Sequence, residues 1–161
     1  MYTRILVALD GSEFAEQVLP HVEALATTFG SVVTLLRATT PDQSLIHPPA
    51  HLMPAGGPIT DPIPIAEAER RAAAMYLADV AQQLSNRNFP VAYEVVPGSA
   101  GDVIVQVAGR LQADLIALTT HGQGRLGRLV FGSVADAVLR RAPCPILLVR
   151  VSKPQRAPHA E

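Results

Sequence analysis

The amino-acid sequence is poor in aromatic residues and carries almost no net charge. It has no tryptophan, only 4% aromatic residues, and a formal net charge of -1 over 161 residues. Without a surplus of positive charge there is no basic field to attract nucleic acid or an acidic membrane surface. The scarcity of aromatic rings also argues against a surface on which bases stack. We therefore expect no nucleic acid and no membrane among the partners of this protein.

Cysteine and long apolar segments are scarce as well. Cys144 is the single cysteine, so no disulfide can form within the chain. No apolar run approaches the roughly 20 residues that span a bilayer. The first ten residues also lack a charged segment followed by a long apolar one, which is the pattern of an export signal. These features predict a cytoplasmic protein.

Apolar runs that read as strands alternate along the chain with segments that have apolar residues at helical spacing. Such alternation is typical of a parallel sheet with helices on both faces. The expected fold class is therefore α/β, a three-layer sandwich around a five-stranded parallel sheet, doubly wound and Rossmann-like or flavodoxin-like. The predicted strands are residues 4–10, 32–36, 91–96, 114–118 and 146–151, and the helices lie at residues 12–29, 65–84, 99–111 and 133–141.

Proline and serine refine the predicted helices. Pro20 lies inside the first helical pattern and should kink or locally break that helix. Ser133 and Asp136 have the spacing of a capping box, so we expect Ser133 to cap the last helix; Ser99 and Asp102 have the same spacing.

The domain prediction is one domain over residues 1–151. Residues 39–64 hold seven of the fourteen prolines and are predicted to form a proline-rich loop insertion. Residues 152–161 are polar and are predicted to form a flexible tail.

A glycine-rich stretch separates the fourth predicted strand from the last predicted helix. Glycine-rich loops in this position direct backbone N–H groups toward phosphate, although the same glycines would also suit plain turns. Ligands of parallel sheets bind at the carboxyl ends of the strands. There Asp10, Ala38 and the glycine-rich stretch should meet; Asp10 either contacts a ligand or only caps the turn before Ser12. The four glycines are Gly122, Gly124, Gly127 and Gly132.

Four separated motifs carry a resemblance to a known family. Gly122, nine further residues and Gly132-Ser133 match the second half of a phosphate motif, and Thr119 stands where that motif has its first glycine. Residues 5–12, 96–98 and 142–149 are similar to other signatures of the same family. On these motifs the chain resembles the universal stress proteins, of the small, single-domain, ATP-binding kind with an adenine nucleotide alpha hydrolase-like fold.

The resemblance implies that the ligand is ATP, with or without Mg²⁺. It also implies roles for the matched residues. Residues after the first two strands would lie at the adenosine, with Asp10 accepting hydrogen bonds. Residues of the motif would surround the ribose and the phosphates. It implies no catalytic residue, and the five histidines show no metal-binding spacing. The implied binding residues are Ala8, Leu9, Asp10, Ala38, Leu118, Thr119, His121, Gly122, Gly132, Ser133, Val134 and Ala135.

Three functions remain open at this point. The first is a regulatory stress-response protein that binds ATP with little or no hydrolysis and forms a homodimer through its last strand, residues 146–151. The second is a stress protein that binds no nucleotide and acts through protein partners, which Thr119 favours because it adds bulk at a glycine position. The third is a slow ATPase, against which stands the lack of a Walker motif and of a second acid beside Asp10.

Overall fold

A five-stranded parallel sheet forms the centre of the computed structural model, which describes residues 1–40, 63–87, 89–121 and 132–151. Strands and helices alternate along the chain, which confirms the predicted fold class. A short 3₁₀ helix, Ala15–Val18, precedes the first α-helix. The elements are β1 (Arg4–Ala8), α1 (Leu19–Phe29), β2 (Val32–Thr39), α2 (Ile63–Ser85), β3 (Val91–Pro97), α3 (Ala100–Arg110), β4 (Leu115–His121), α4 (Ser133–Arg141) and β5 (Ile146–Val151).

The strand order is β3-β2-β1-β4-β5, with every neighbouring pair parallel. The chain builds the sheet outward from β1 in one direction and then returns to the other side of β1 to place β4. This reversal creates a switch point between β1 and β4, where loops diverge and leave room for a ligand. β3 and β5 are the two edge strands.

Alternate residues of each strand pack against helices on opposite faces of the sheet. Ile5 and Val7 pack with α1, α2 and the 3₁₀ helix in one buried cluster, and Leu6 and Ile116 pack with α3 and α4 in the other. The predicted inward side of α2 is buried throughout; it consists of Ala73, Leu77, Val80, Ala81 and Leu84.

Several element boundaries differ from the prediction. The predicted first helix is divided into the 3₁₀ helix and α1, which begins at Leu19. Pro20 therefore lies in the first turn of α1, where its missing N–H costs nothing. β4 runs three residues further than predicted because its pairing with β5 continues from Thr119 to His121. The predicted insertion is shorter than 39–64, since β2 reaches Thr39 and α2 begins at Ile63. Residues 41–62 and 152–161 lie outside the described residues.

The predicted cap of the last helix was wrong. Gly132 is the N-cap of α4, and Ser133 is already inside the helix. Asp136 bonds to Arg140 one turn later instead of reaching back to the helix start. Ser99 does occupy the N-cap of α3, but its hydroxyl makes no capping hydrogen bond and Asp102 pairs with Arg141. Within the described ranges, no helix has the length and apolar character needed to cross a membrane.

Candidate functional site

A cavity of about 250 Å³ opens at the carboxyl edge of the sheet, over the switch point between β1 and β4. Its walls come from the ends of β1, β2 and β4 and from the amino-terminal turns of α3 and α4. The structure therefore brings together residues that are more than 120 positions apart in the sequence. The predicted binding residues that line it are Ala8, Leu9, Asp10, Ala38, Leu118, Thr119, Gly132, Ser133, Val134 and Ala135.

The remaining two predicted residues cannot be assigned to the cavity. His121 ends β4, and its side chain is outside the described part of the chain. Gly122, like Gly124 and Gly127, lies outside the described residues altogether. The phosphate motif is thus described only at its two ends, in Thr119 and in Gly132-Ser133.

Five further residues line the cavity that the sequence did not indicate. Leu36 lies two positions before Ala38, and Thr120 two positions after Leu118, so each shares a sheet face with a predicted residue. The alternation of side chains along a strand was the signal that could have predicted these two strand residues. The helical ones depend on how α3 and the 3₁₀ helix pack, which the sequence does not specify. These five residues are Ala15, Leu36, Ala100, Ile104 and Thr120.

Asp10 follows β1 and is held by the turn that it begins. The backbone N–H and the hydroxyl of Ser12 both donate to Oδ1 of Asp10, at 2.9 and 2.6 Å. The Ser12 hydroxyl oxygen in turn accepts from the N–H of Ala15 at 3.1 Å. No donor among the described residues reaches Oδ2 of Asp10. Asp10 therefore caps the turn with one carboxylate oxygen and can present the other to a ligand, so the two interpretations of this residue are compatible.

Gly11 adopts a backbone conformation that this turn requires. Its φ of +89° lies in a region that L side chains rarely adopt. The guanidinium of Arg37 packs beside Gly11 and also over the ring of Tyr76, 5.5 Å from the ring centroid. The turn that positions Asp10 thus requires a glycine, and Arg37 of β2 packs against that glycine.

The amino terminus of α4 forms the opposite side of the cavity. Intrahelical hydrogen bonding begins where the N–H of Asp136 donates to the carbonyl of Gly132 at 3.0 Å. The N–H groups of Ser133, Val134 and Ala135 precede that bond and have no partner within the helix. Together with the positive end of the helix dipole, such groups bind anions. A Cβ at Gly132 would meet no atom of the described residues within 4 Å, so these residues leave open space beside the helix start.

Asp10 is the one charged side chain among the described residues that line the cavity. An anion bound there would consequently be held by backbone N–H groups and hydroxyls of these residues. No cluster of three or more potential metal-ligating side chains occurs within the described ranges.

Close packing between α3 and α4 closes one wall of the cavity. A Cβ at the buried Gly101 would stand 2.8 Å from Cβ of Ala137, so the two helices approach as closely as a glycine permits. Nη1 of Arg141 donates to Oδ1 of Asp102 at 2.6 Å across the same junction. This guanidinium holds the pKa of Asp102 below its ordinary value. The ion pair is exposed, so the glycine contact is the stronger constraint.

The sequence as a whole matches one protein family. The model of the universal stress protein family (Usp) matches residues 1–150. This chain belongs to the universal stress protein family. The resemblance that the four motifs indicated is thereby confirmed, and it covers the sheet, all the described helices and the cavity.

Curated relatives of this universal stress protein cover almost its whole length. A universal stress protein of Thermus aquaticus is 32% identical, over 93% of this chain and 100% of the relative. The stress response protein NhaX of Bacillus subtilis is 27% identical, over 91% of this chain and 97% of the relative.

Solved structures of other family members share its fold. The structure of the hypothetical protein MJ0577, whose sequence is from Methanocaldococcus jannaschii, superposes with a TM-score of 0.76 at 25% identity, covering 96% of this chain and 99% of that one. A universal stress protein in complex with cAMP gives a TM-score of 0.64 at 20% identity, covering 92% and 97%. The Archaeoglobus fulgidus protein in complex with dAMP gives 0.62 at 21% identity, covering 92% and 98%.

Proposed function

We propose that this universal stress protein binds an adenine nucleotide, ATP with or without Mg²⁺, in the cavity at the carboxyl edge of the sheet. In this proposal it acts in the cytoplasm as a regulatory stress-response protein. The observation that carries the proposal is that Asp10 and the amino terminus of α4 line the same cavity. A carboxylate that accepts from hydroxyls and a helix start that binds anions are what a sugar phosphate requires.

Each part of the nucleotide has a matching part of the cavity. Ala8 and Ala38, at the ends of β1 and β2, offer an apolar surface for the adenine ring. Oδ2 of Asp10 accepts from ribose hydroxyls, while Ser12 keeps the carboxylate in place. The free N–H groups at the start of α4 hold the phosphates. Bound cAMP and dAMP in two structural neighbours support an adenine nucleotide as the ligand class.

We propose that hydrolysis is slow or absent. Phosphoryl transfer relies on cations that neutralise developing charge and on a group that orients the attacking water. The described lining offers Asp10 alone as a charged side chain, and Ser12 already occupies one of its oxygens. A single carboxylate, one of whose oxygens is already bonded to Ser12, suits ligand binding better than ATP hydrolysis.

The second candidate is a protein that acts through partners without nucleotide. Thr119 favours it, because this residue stands at a glycine position of the family motif and lines the cavity with its side chain half-buried. Its branched side chain takes space that a glycine leaves to the ligand.

We also propose a homodimer through the last strand. β5 is an edge strand, and its apolar residues Leu147, Leu148 and Val149 remain only half-buried within one chain. Unpaired edge strands with apolar side chains pair readily with another chain. A second copy is the partner that this edge fits, since the same strand on both subunits gives a two-fold interface.

Nucleotide released from the purified protein tests the ligand proposal. The protein is denatured, the absorbance of the supernatant is read at 260 nm, and any released nucleotide is identified by its mass. In a second experiment, ATP or AMP is added to nucleotide-free protein and its melting temperature is measured. We expect an adenine nucleotide in the supernatant, or a rise in melting temperature that grows with ligand concentration. No release together with no shift would overturn the proposal in favour of a partner-binding protein.

A matched pair of glycine variants tests where the ligand binds. Gly132→Val puts a side chain into the open space beside the start of α4 and should abolish binding while the protein stays folded. Gly109→Val is the control, because this position on α3 is equally open but does not line the cavity. Equal loss of binding in both variants would contradict the assignment. ATP turnover well above the buffer rate that disappears in Asp10→Ala would establish the ATPase instead.

A further inference from the structure

Thr120 is a buried polar residue in the cavity wall. Its side chain is 6% exposed, and Oγ1 has no hydrogen-bond partner within the described part of the chain. A buried hydroxyl without a partner costs the protein its desolvation energy. Such a group is expected where a ligand supplies the missing partner.

The orientation of Thr120 follows from the alternation of β4. Ile116 and Leu118 pack in the cluster with α3 and α4. Thr120 is the next residue on that face, and it is buried at the carboxyl end where the cavity opens. By the same alternation Thr119 belongs to the opposite face of β4, although it also lines the cavity. Thr120 is thus the threonine on the sheet face that packs against α3 and α4, where Ala135 lies.

The sheet order indicates which part of a ligand Thr120 meets. Across the cavity, the ends of β2, β1 and β4 present Ala38, Asp10 and Thr120 in that order. The alanine side is apolar, and the β4 side adjoins the start of α4 with its unbonded N–H groups. A hydroxyl beside those donors extends a neutral anion-binding set. Phosphate oxygen is the acceptor that such a set takes.

We infer that the Thr120 hydroxyl is a binding group of this cavity that donates a hydrogen bond to a phosphate oxygen of the bound nucleotide. The inference rests on the proposed nucleotide-binding function and names a residue and a contact that the family motif did not indicate. It makes phosphorylated nucleotides, as opposed to nucleosides, the ligands that Thr120 selects.

The test compares AMP with adenosine on nucleotide-free protein. Thr120→Val removes the hydroxyl and keeps the shape of the side chain. We expect its Kd for AMP to rise about ten- to a hundredfold, as for loss of a hydrogen bond to a charged group, with the Kd for adenosine unchanged. Thr120→Ser retains the hydroxyl and should bind AMP nearly as the wild type does.

The melting temperature of the ligand-free protein supplies an independent readout. Because Oγ1 has no partner among the described residues, Thr120→Val should melt at the same temperature as the wild type or above it. Thr34→Val is the matched control; Thr34 lies on β2 and lines a separate cavity at the amino edge of the sheet, so its AMP affinity should not change.

Each alternative outcome is distinct. An unchanged Kd for AMP in Thr120→Val, or a clear fall in the melting temperature of its ligand-free form, would overturn the role of Thr120 alone. An equal loss of adenosine affinity would assign the hydroxyl to the nucleoside and overturn the phosphate contact. If the wild type binds neither AMP nor ATP, the proposed function fails, and the inference with it.

Discussion

Gly11 and Arg37 are in direct contact beside the candidate site: a Cβ at position 11 would lie 2.7 Å from Nη1 of Arg37. The glycine has a φ of +89°, and the arginine is stacked over Tyr76. The turn that presents Asp10 is therefore restricted twice, by a backbone conformation that L side chains rarely adopt and by a guanidinium that would have to move to admit a side chain.

Gly11→Ala should destabilise the protein for both reasons. The positive φ costs an alanine about 1–2 kcal/mol, and displacing Arg37 from Tyr76 adds about 0.5–1 kcal/mol from the lost cation–π contact. Gly30→Ala is the control: Gly30 has a φ of +64°, and no described atom lies within 4 Å of its Cβ position, so it incurs the backbone cost alone. Urea unfolding measures both. In an Arg37→Ala background Gly11→Ala should cost less, and an equal cost in both backgrounds would contradict the contact.

Two glycines of α3 should respond to alanine in opposite directions. Gly101→Ala brings a methyl group to 2.8 Å from Cβ of Ala137 and should destabilise the protein by about 1–3 kcal/mol, as overpacking does. Gly109→Ala, in open space on the same helix, should stabilise it by about 0.5–1 kcal/mol through helix propensity. Denaturant unfolding gives both values. In an Ala137→Gly background, Gly101→Ala should cost less than it does in the wild type; an equal cost in both backgrounds would mean that the loss does not come from this contact.

Asp114 should make stability depend on pH in the acidic range. Burial opposes its ionisation, but hydrogen bonds from the Thr3 hydroxyl and from the N–H groups of Thr3 and Arg4, at 2.7, 2.8 and 3.0 Å, together hold its pKa below the ordinary value. A lowered pKa stabilises the fold above the unfolded-state value of about 3.9, and that contribution is lost as the pH falls through the folded-state pKa.

The expected outcome is that Asp114→Asn is less stable than the wild type at pH 6 and that the two converge at about pH 2. Free energies of unfolding from urea titrations over this range measure the difference. A gap of the same size at both ends would show that Asp114 acts through shape and not through its charge.

The edge strand β5 predicts a specific effect on assembly. Leu148→Lys places a charge on the half-buried strand and should shift the protein from dimer to monomer in sedimentation experiments. Tyr93→Lys tests the other edge, since Tyr93 lies exposed on β3, and should leave the assembly unchanged. A wild type that is monomeric at high concentration would refute the dimer.

The sequence was sufficient where the signal was local. β5 has the predicted bounds because a continuous apolar run begins directly after Pro145. The meeting of Asp10 and Ala38 at the carboxyl edge followed from the parallel-sheet pattern. The extension of β4 to His121 was missed because it depends on pairing with β5, which is a contact between distant residues.

The errors at α4 and Thr120 have a different cause. Ser133 has the right spacing for a cap, but Asp136 forms its hydrogen bonds with Arg140 instead, and competition between side chains is not visible in the spacing. Thr120 stands out only because its hydroxyl is buried and has no partner in the part of the chain that the structure describes, and burial is a property of the packed molecule.

The order of strands in the sheet has a consequence for folding during synthesis. β1 and β4 are neighbours in space although six of the ten described elements separate them in sequence. Asp10 is synthesised more than 120 residues before the helix start at Gly132. A growing polypeptide therefore has no complete site until α4 has left the ribosome. Nucleotide therefore cannot bind and stabilise the early folding intermediates. It stabilises only a molecule in which both sides of the site have already formed.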